Sequence, residues 1–238
     1  PYRPVVLGKL PGTAERTIRA IAAEQAAPVL SIIAEFGLNV DDYPTTNLEG
    51  NYQRWNAATA TLAARTVAPQ WRLDEHVVAR ALAAVDWPGR WQRLNIAGRL
   101  VIVDGAHNAE GAEVLGGNLD RLRVETGRSP IVVVGALGTT RAGPLLATVA
   151  RHAREIHLVV PRQSRACSHA ELEALLAADF RGSVRRATIK ALFPAADDCR
   201  LGTPGDSVVI VGSLYLAGEV LARLEPGRGR LEHHLQDF

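Results

Sequence analysis

The stretch LVIVDGAHNAEGAEVL, residues Leu100–Leu115, decides the fold class. Its first four residues are apolar, the next five are Asp-Gly-Ala-His-Asn, and a helical pattern follows. A continuously apolar run is typical of a parallel strand that is buried on both faces. The stretch therefore predicts a strand, a polar turn and a helix, with Asp104, His107 and Asn108 at the carboxyl end of the strand.

The same alternation of strands and helices continues on both sides of this stretch. Downstream, PIVVVGAL, EIHLVVP and DSVVIVGS predict strands, and helices are predicted over 110–125, 142–154, 168–178 and 214–224. Upstream, PVVLG and PVLSIIAEF predict strands around a helix over 13–27 that Thr13 could cap, followed by helices over 50–67 and 72–85. The alternation favours an α/β fold with a doubly wound, mostly parallel sheet and helices on both faces.

Composition excludes several classes of protein. The net charge is +2 and no basic run with interleaved aromatic residues occurs, which argues against a nucleic-acid partner. The two cysteines, Cys167 and Cys199, lack the spacing of a zinc site or disulfide scaffold and fit a reducing compartment. No apolar run reaches the roughly 18 residues of a membrane span, and no signal peptide is visible. We expect a cytoplasmic protein with no membrane partner. Because the sequence contains no methionine, we also expect it to be a piece of a longer protein or to have a trimmed start.

The polar residues that follow the strand over 100–103 are suited to bind a nucleotide. In open α/β sheets, ligands bind outside the carboxyl ends of the strands. There, Asp104 could accept hydrogen bonds from both ribose hydroxyls, and His107 would lie where a helix start favours phosphate. Structural alternatives stay open: Asp104 could bond nearby backbone, Asn108 could cap the helix, and His107 could be structural.

Two other segments carry candidate binding residues. Arg90 follows the sequence Asp-Trp-Pro-Gly, and this sequence is the best candidate for a linker between domains. Arg90 could also be an ordinary surface arginine. Gln53 and Asn56 lie three residues apart on one helical face and could read an adenine edge, or could simply be solvated.

Motifs for other chemistries are missing or incomplete. The sequence contains neither G-x-x-x-x-G-K-[ST] nor G-x-G-x-x-G. A hydrolase triad could be assembled from Ser213, His107 and Asp104, but the G-x-S-x-G elbow that such enzymes use is missing.

Four segments, in order, resemble the folylpolyglutamate and dihydrofolate synthases of the Mur ligase superfamily. GNYQRWNAA resembles their G-x-H-Q-x-x-N-A segment, and WPGRWQ resembles their P-G-R linker. VIVDGAHNAEGAEVL resembles their D-G-A-H-N-P segment, and VIVGSLYLAGEV resembles their G-S-L-Y-L-x-G-E terminus. The resemblance covers the chain from about Pro4 to Leu224.

The resemblance implies an ATP-dependent ligase. Such enzymes phosphorylate a substrate carboxylate to an acyl phosphate, which the amine of L-glutamate then displaces, and the acceptor is folate or dihydropteroate. It also implies three parts: the end of the central P-loop ATPase domain over 1–86, a linker or hinge over 87–90, and a Rossmann-like carboxyl-terminal domain over 91–238. The cofactors expected are ATP, bound between the domains, and Mg²⁺, and the full-length protein is expected to be a monomer.

The resemblance also assigns residues. Asp104 would hold the ribose, Arg90 would contact the ATP phosphates, and Asn56 would touch the nucleotide with Gln53 close by. His107 would lie near the phosphates and is the candidate catalytic residue. No metal ligand is expected among these residues, because the family's magnesium ligands, P-loop and modified lysine correspond to sequence before Pro1.

The sequence departs from the family pattern at three places. Tyr52 replaces a histidine, Ala109 replaces a proline, and Thr-Thr-Arg over 139–141 replaces a Lys-Asp pair, which puts glutamate handling or loop closure in doubt. With no P-loop, the chain is expected to hold half an ATP site and to be inactive alone. Two alternatives stay open: a naturally truncated nucleotide-binding or regulatory module, and a Mur-type ligase that acts on a cell-wall precursor.

Overall fold

The computed structural model describes residues 3–71 and 73–227, and the chain divides into two compact units, Pro1–Trp87 and Pro88–Phe238. The start of the helix predicted over 72–85, and the chain after Gly227, lie outside the described residues. Within the described ranges, no helix combines the length and the apolar character that crossing a membrane requires.

The first unit contains the strand–helix–strand arrangement that the sequence predicts. Two short strands pair in parallel, and a small apolar core lies under the longest helix. The elements are β1 (Val5–Leu7), α1 (Gly12–Glu24), β2 (Val29–Ser31), α2 (Ile32–Phe36), a 3-10 turn (Val40–Asp42), α3 (Tyr52–Trp71) and α4 (Glu75–Ala83).

Two local predictions in the first unit are wrong. The segment PVLSIIAEF is a strand only as far as Ser31, whose hydroxyl accepts a hydrogen bond from the amide of Ala34 and so caps a short helix. Thr13 does not cap α1, because that helix begins one residue earlier, at Gly12, after Pro11.

The second unit is a six-stranded sheet with the order β3-β4-β8-β5-β6-β7. Only β3 runs antiparallel to its neighbour, so the predicted mostly parallel sheet is confirmed. The strands are β3 (Gln92–Ile96), β4 (Arg99–Val103), β5 (Ile131–Val134), β6 (Glu155–Leu158), β7 (Ser183–Arg186) and β8 (Ser207–Val211). The helices are α5 (Ala109–Thr126), α6 (Thr139–His152), α7 (His169–Ala174), α8 (Ile189–Leu192) and α9 (Leu214–Leu224).

Helices cover both faces of this sheet, as predicted. Apolar side chains of α5, α6 and α7 share one buried cluster with Ile102 and Val132, whereas those of α8 and α9 share another with Val101 and Val133. Since neighbouring residues of a strand point to opposite faces, the two clusters lie on opposite sides.

This topology creates a crevice at the carboxyl ends of two interior strands, β4 and β8. The neighbouring parallel strands β4 and β8 continue into α5 and α9, which pack on opposite faces. The loops at the carboxyl ends of the two strands therefore diverge, and such a switch point is where open α/β sheets bind ligands.

Candidate functional site

The candidate site is formed by the loops that follow β4 and β8, together with the turn that precedes β3. The amide of Gly212, after β8, donates to the carbonyl of Ala106, after β4, at 3.0 Å. The amide of Gly105 donates to the carbonyl of Gly89 at 2.8 Å. These bonds hold the three segments together, so the site belongs entirely to the second unit.

Asp104 lies at the base of this site and is 7% exposed. One carboxylate oxygen accepts from the amide of Ala106 at 2.9 Å, and the other from the amide of Trp91 at 2.9 Å. Burial raises the pKa of this carboxyl, while the two amides and the charges of Arg90 and His107 oppose the rise. The backbone-bonding alternative for Asp104 is therefore observed.

Arg90 and His107 carry the groups that are available to a ligand. Arg90 is half-buried, and its guanidinium has no hydrogen-bond partner among the described residues. The Nδ1 atom of His107 lies 2.8 Å from the carbonyl oxygen of Gly105. Because a carbonyl can only accept, Nδ1 carries the proton, which leaves Nε2 as the free nitrogen of this ring. A guanidinium and an imidazole in one crevice suit phosphate oxygens.

Asn108 and Ser213 have capping roles. The side chain of Asn108 accepts from the amide of Gly111 at 2.8 Å at the start of α5, as one prediction proposed. Ser213 is 2% exposed and accepts from the amide of Leu216 at 3.0 Å at the start of α9. The hydrolase triad is therefore not formed, because Ser213 is a buried cap.

Gln53 and Asn56 lie in the first unit, near the start of α3. The side-chain nitrogen of Asn56 donates to Gln53 Oε1 at 2.9 Å, and Asn56 is exposed. Gln53 is 2% exposed, and its buried nitrogen Nε2 has no hydrogen-bond partner in the part of the chain that the structure describes. An unpaired buried amide is unfavourable, so its presence is consistent with a polar ligand or a water at this position.

The sequence did not single out four further residues of the crevice. Trp91 is buried and has a φ of 51°, in the left-handed region. Gly105 has no room for a side chain, because a Cβ there would lie 2.5 Å from the side chain of Leu214. Leu214 is half exposed, and Tyr215 is partly exposed. Only the resemblance of the segment GSLYL to the family pattern drew attention to Leu214 and Tyr215.

No metal centre accompanies these residues. Across residues 3–71 and 73–227, no group of three or more His, Cys, Asp or Glu side chains could hold a metal ion.

Two proteins with similar sequences are folylpolyglutamate synthases or probable bifunctional relatives of them. A folylpolyglutamate synthase of Lacticaseibacillus casei is 30% identical over 184 residues, which cover 76% of this chain and 40% of the relative. A probable bifunctional folylpolyglutamate synthase/dihydropteroate synthase of Halobacterium salinarum is 31% identical over 191 residues, 74% of this chain and 20% of the relative. The chain thus spans less than half the length of these relatives.

Solved structures share the fold. Mycobacterium tuberculosis folylpolyglutamate synthase complexed with ADP and AMPPCP matches with a TM-score of 0.69 and 22% identity, covering 92% of this chain and 55% of that one. The E. coli FolC structure with DHPP and ADP matches with a TM-score of 0.71 and 20% identity, covering 95% and 55%.

The match to a family model is the most specific comparison. The model of the Mur ligase, glutamate ligase domain, covers residues 89–214, which is more than half of the chain and includes Arg90, Asp104 and His107. The chain belongs to the Mur ligase family through this domain.

Proposed function

We propose that this chain carries one half of the ATP site of a ligase that adds L-glutamate to a folate or to dihydropteroate. The observation that carries the proposal is the position of Arg90, whose Nη1 atom would lie 3.5 Å from a Cβ on Gly105, in the same loop as His107 and within the matched domain. The relatives that are folylpolyglutamate synthases support the substrate class, and the ADP and AMPPCP bound in a similar structure support ATP.

The residues of the crevice have distinct roles in this proposal. Arg90 binds phosphate oxygens through its planar fork, and the free Nε2 of His107 lies ready to donate to the same group when the ring is protonated. Asp104 closes the base of the site, and its contact with the ribose stays a prediction. Asn56 and Gln53 bond to each other in the first unit, and their contact with the nucleotide stays a prediction.

ATP would supply the phosphoryl group that converts the acceptor carboxylate into an acyl phosphate, with ADP leaving, and the amine of L-glutamate would then displace inorganic phosphate to form the amide. The chain's own residues bind and orient the nucleotide. These 238 residues contain no G-x-x-x-x-G-K-[ST] phosphate-binding loop, so we assign them nucleotide binding and not the complete transfer reaction.

Calorimetric titration of the chain with ADP tests the nucleotide half of this proposal. We expect binding, and a loss of affinity of about tenfold or more in Arg90→Ala, because a charge-assisted bond is lost. The matched control is Arg200→Ala, whose guanidinium pairs with Asp198. Equal affinities of the two variants would refute the assignment of Arg90.

The substrate half is tested on the full-length product of the gene, by ATP-dependent transfer of labelled glutamate. Transfer to folate or dihydropteroate supports the proposal. Transfer to a cell-wall precursor would identify the other Mur-type ligase, and nucleotide binding without any transfer would favour the regulatory module.

A further inference from the structure

The turn that carries Arg90 lies along α9. A Cβ added to Gly89 would lie 3.4 Å from the Cβ of Ala217 in that helix. The residue that follows α9, Glu225, accepts a hydrogen bond from the side chain of Gln92, with 2.7 Å between Nε2 and Oε2. Arg90 therefore lies between two residues that each contact the α9 segment.

The side chain of Gln92 joins these two contacts. Its Oε1 atom accepts from the amide of Gly89 at 3.0 Å, while its Nε2 atom donates to Glu225. A backbone amide can only donate and an ionised carboxylate can only accept, so the two partners fix the orientation of the Gln92 amide group. An amide side chain satisfies both partners at once. A carboxylate at this position would face the carboxylate of Glu225, and an apolar side chain would make neither bond.

The backbone of the turn depends on such support. Gly89 has a φ of 72° and Trp91 a φ of 51°, so both neighbours of Arg90 lie in the left-handed region. This region is rare for a bulky residue such as tryptophan, and it persists only where the surroundings hold it. The direction in which the Arg90 side chain leaves the backbone depends on these two neighbours, because they set the course of the chain on either side of it.

We propose that Gln92 is a positioning residue that acts through Gly89, anchoring the turn to the end of α9 so that Arg90 is held beside the loop after β4. The Nη1 atom of Arg90 would lie 3.5 Å from a Cβ on Gly105, whose amide donates to the carbonyl of Gly89 at 2.8 Å. Gly89 is thus bonded to Gln92 through its amide and to the candidate site through its carbonyl. This inference rests on the proposed function, because it assigns Gln92 to the binding of phosphate by Arg90.

A double-mutant cycle on the 238-residue chain, with ADP as the probe, tests the inference. Gln92→Met keeps the length and the neutral charge of the side chain but removes both hydrogen bonds. We expect it to weaken ADP binding about three- to tenfold, which is the range for one net hydrogen bond, and to have less than about a twofold effect in Arg90→Ala. An unchanged affinity, or a loss of the same size in Arg90→Ala, would overturn the inference.

Exchanging the two side-chain groups provides a rescue. In Gln92→Glu the new carboxylate can still accept from Gly89 but faces Glu225, so ADP should bind about three- to tenfold more weakly. Adding Glu225→Gln returns a donor and should restore the affinity to within about twofold, whereas Glu225→Gln alone should change it by less than about twofold.

An effect of charge alone gives a different pattern, which would contradict the anchor. Glu225→Gln alone would then strengthen ADP binding as much as Gln92→Glu weakens it. The matched control is Gln25→Glu, which adds the same charge on an exposed residue that follows α1 and should leave the affinity unchanged.

Amide hydrogen exchange separates this inference from the proposed function. Gln92→Met should accelerate exchange at Gly89 whether or not nucleotide binds, because the bond that protects this amide is lost. Unchanged exchange there refutes the anchor. Accelerated exchange, in a chain whose wild type does not bind ADP, refutes the nucleotide site and leaves the anchor standing.

Glu225→Ala supplies the test if Gln92→Met does not fold. This substitution removes only the bond between Gln92 and the end of α9. It should weaken ADP binding about two- to fivefold where Arg90 is present and by less than about twofold in Arg90→Ala. An unchanged affinity in Glu225→Ala would overturn the inference.

Discussion

Asp206 offers a sharp test of the electrostatics of the second unit. It is 5% exposed, just before β8, and one oxygen accepts from the amide of Thr203 at 2.8 Å and from its hydroxyl at 3.0 Å. The other oxygen pairs with Arg154 at 2.8 Å. The amide of Thr203, then its hydroxyl and the Arg154 guanidinium, lower the pKa of Asp206 below its usual 3.8.

Asp206→Asn should destabilise the second unit by about 2–3 kcal/mol at pH 7. Asparagine keeps an acceptor for Thr203, but each of those two bonds loses about 1 kcal/mol when the acceptor becomes neutral. The partly exposed pair with Arg154 adds about 0.5 kcal/mol. Because the folded-state pKa is lowered, this stability is present above the unfolded pKa and is lost as pH falls below about 4.

Urea denaturation followed by circular dichroism, at pH 7 and at about pH 3, measures this difference. The control is Asp198→Asn, since Asp198 forms an exposed pair with Arg200 that should contribute at most about 0.5 kcal/mol. An Asp206 variant as stable as the Asp198 variant at pH 7, or a stability gap that stays the same at low pH, would refute the reasoning.

Two further substitutions test local geometry through the free energy of unfolding. Gly212→Ala should cost about 2 kcal/mol or more, because φ is 123° and the new Cβ would lie 2.5 Å from the carbonyl oxygen of Gly135. Its control, Gly218→Ala, meets open space within α9 and should stabilise by about 0.5–1 kcal/mol, so equal effects would contradict this account. Asn108→Ala should cost about 1 kcal/mol without any nucleotide, because the cap on Gly111 is lost; an unchanged stability would mean that the cap contributes nothing.

The sequence predicted those parts of the fold that have a strong apolar signal. The buried strands β4, β5 and β8 were found because nearly all of their residues are apolar, and β6 was found because the apolar run LVV follows EIH. The edge strand β7 was missed, since all four of its residues are exposed and two are arginines. The strand β3 was missed because most of its residues are polar or only partly buried.

The candidate site shows a comparable limit. Asp104 was identified because it follows a buried strand, but local sequence could not show that its partner is the amide of Trp91, thirteen positions earlier. The left-handed backbone of Trp91 was equally invisible, because nothing in a tryptophan side chain indicates it. Residues 32–36 were placed in a strand because their apolar run fits either structure, whereas the hydroxyl of Ser31 caps a helix that begins at Ile32.

The most direct test of the nucleotide half-site is to map amide hydrogen exchange of the chain with and without saturating ADP. We expect slower exchange over 89–91, 104–108 and 212–214, where the three segments of the crevice meet, and no change over 183–186 in β7. Unchanged exchange throughout the crevice, or protection confined to other parts of the chain, would contradict the assignment of a nucleotide site to the carboxyl ends of β4 and β8.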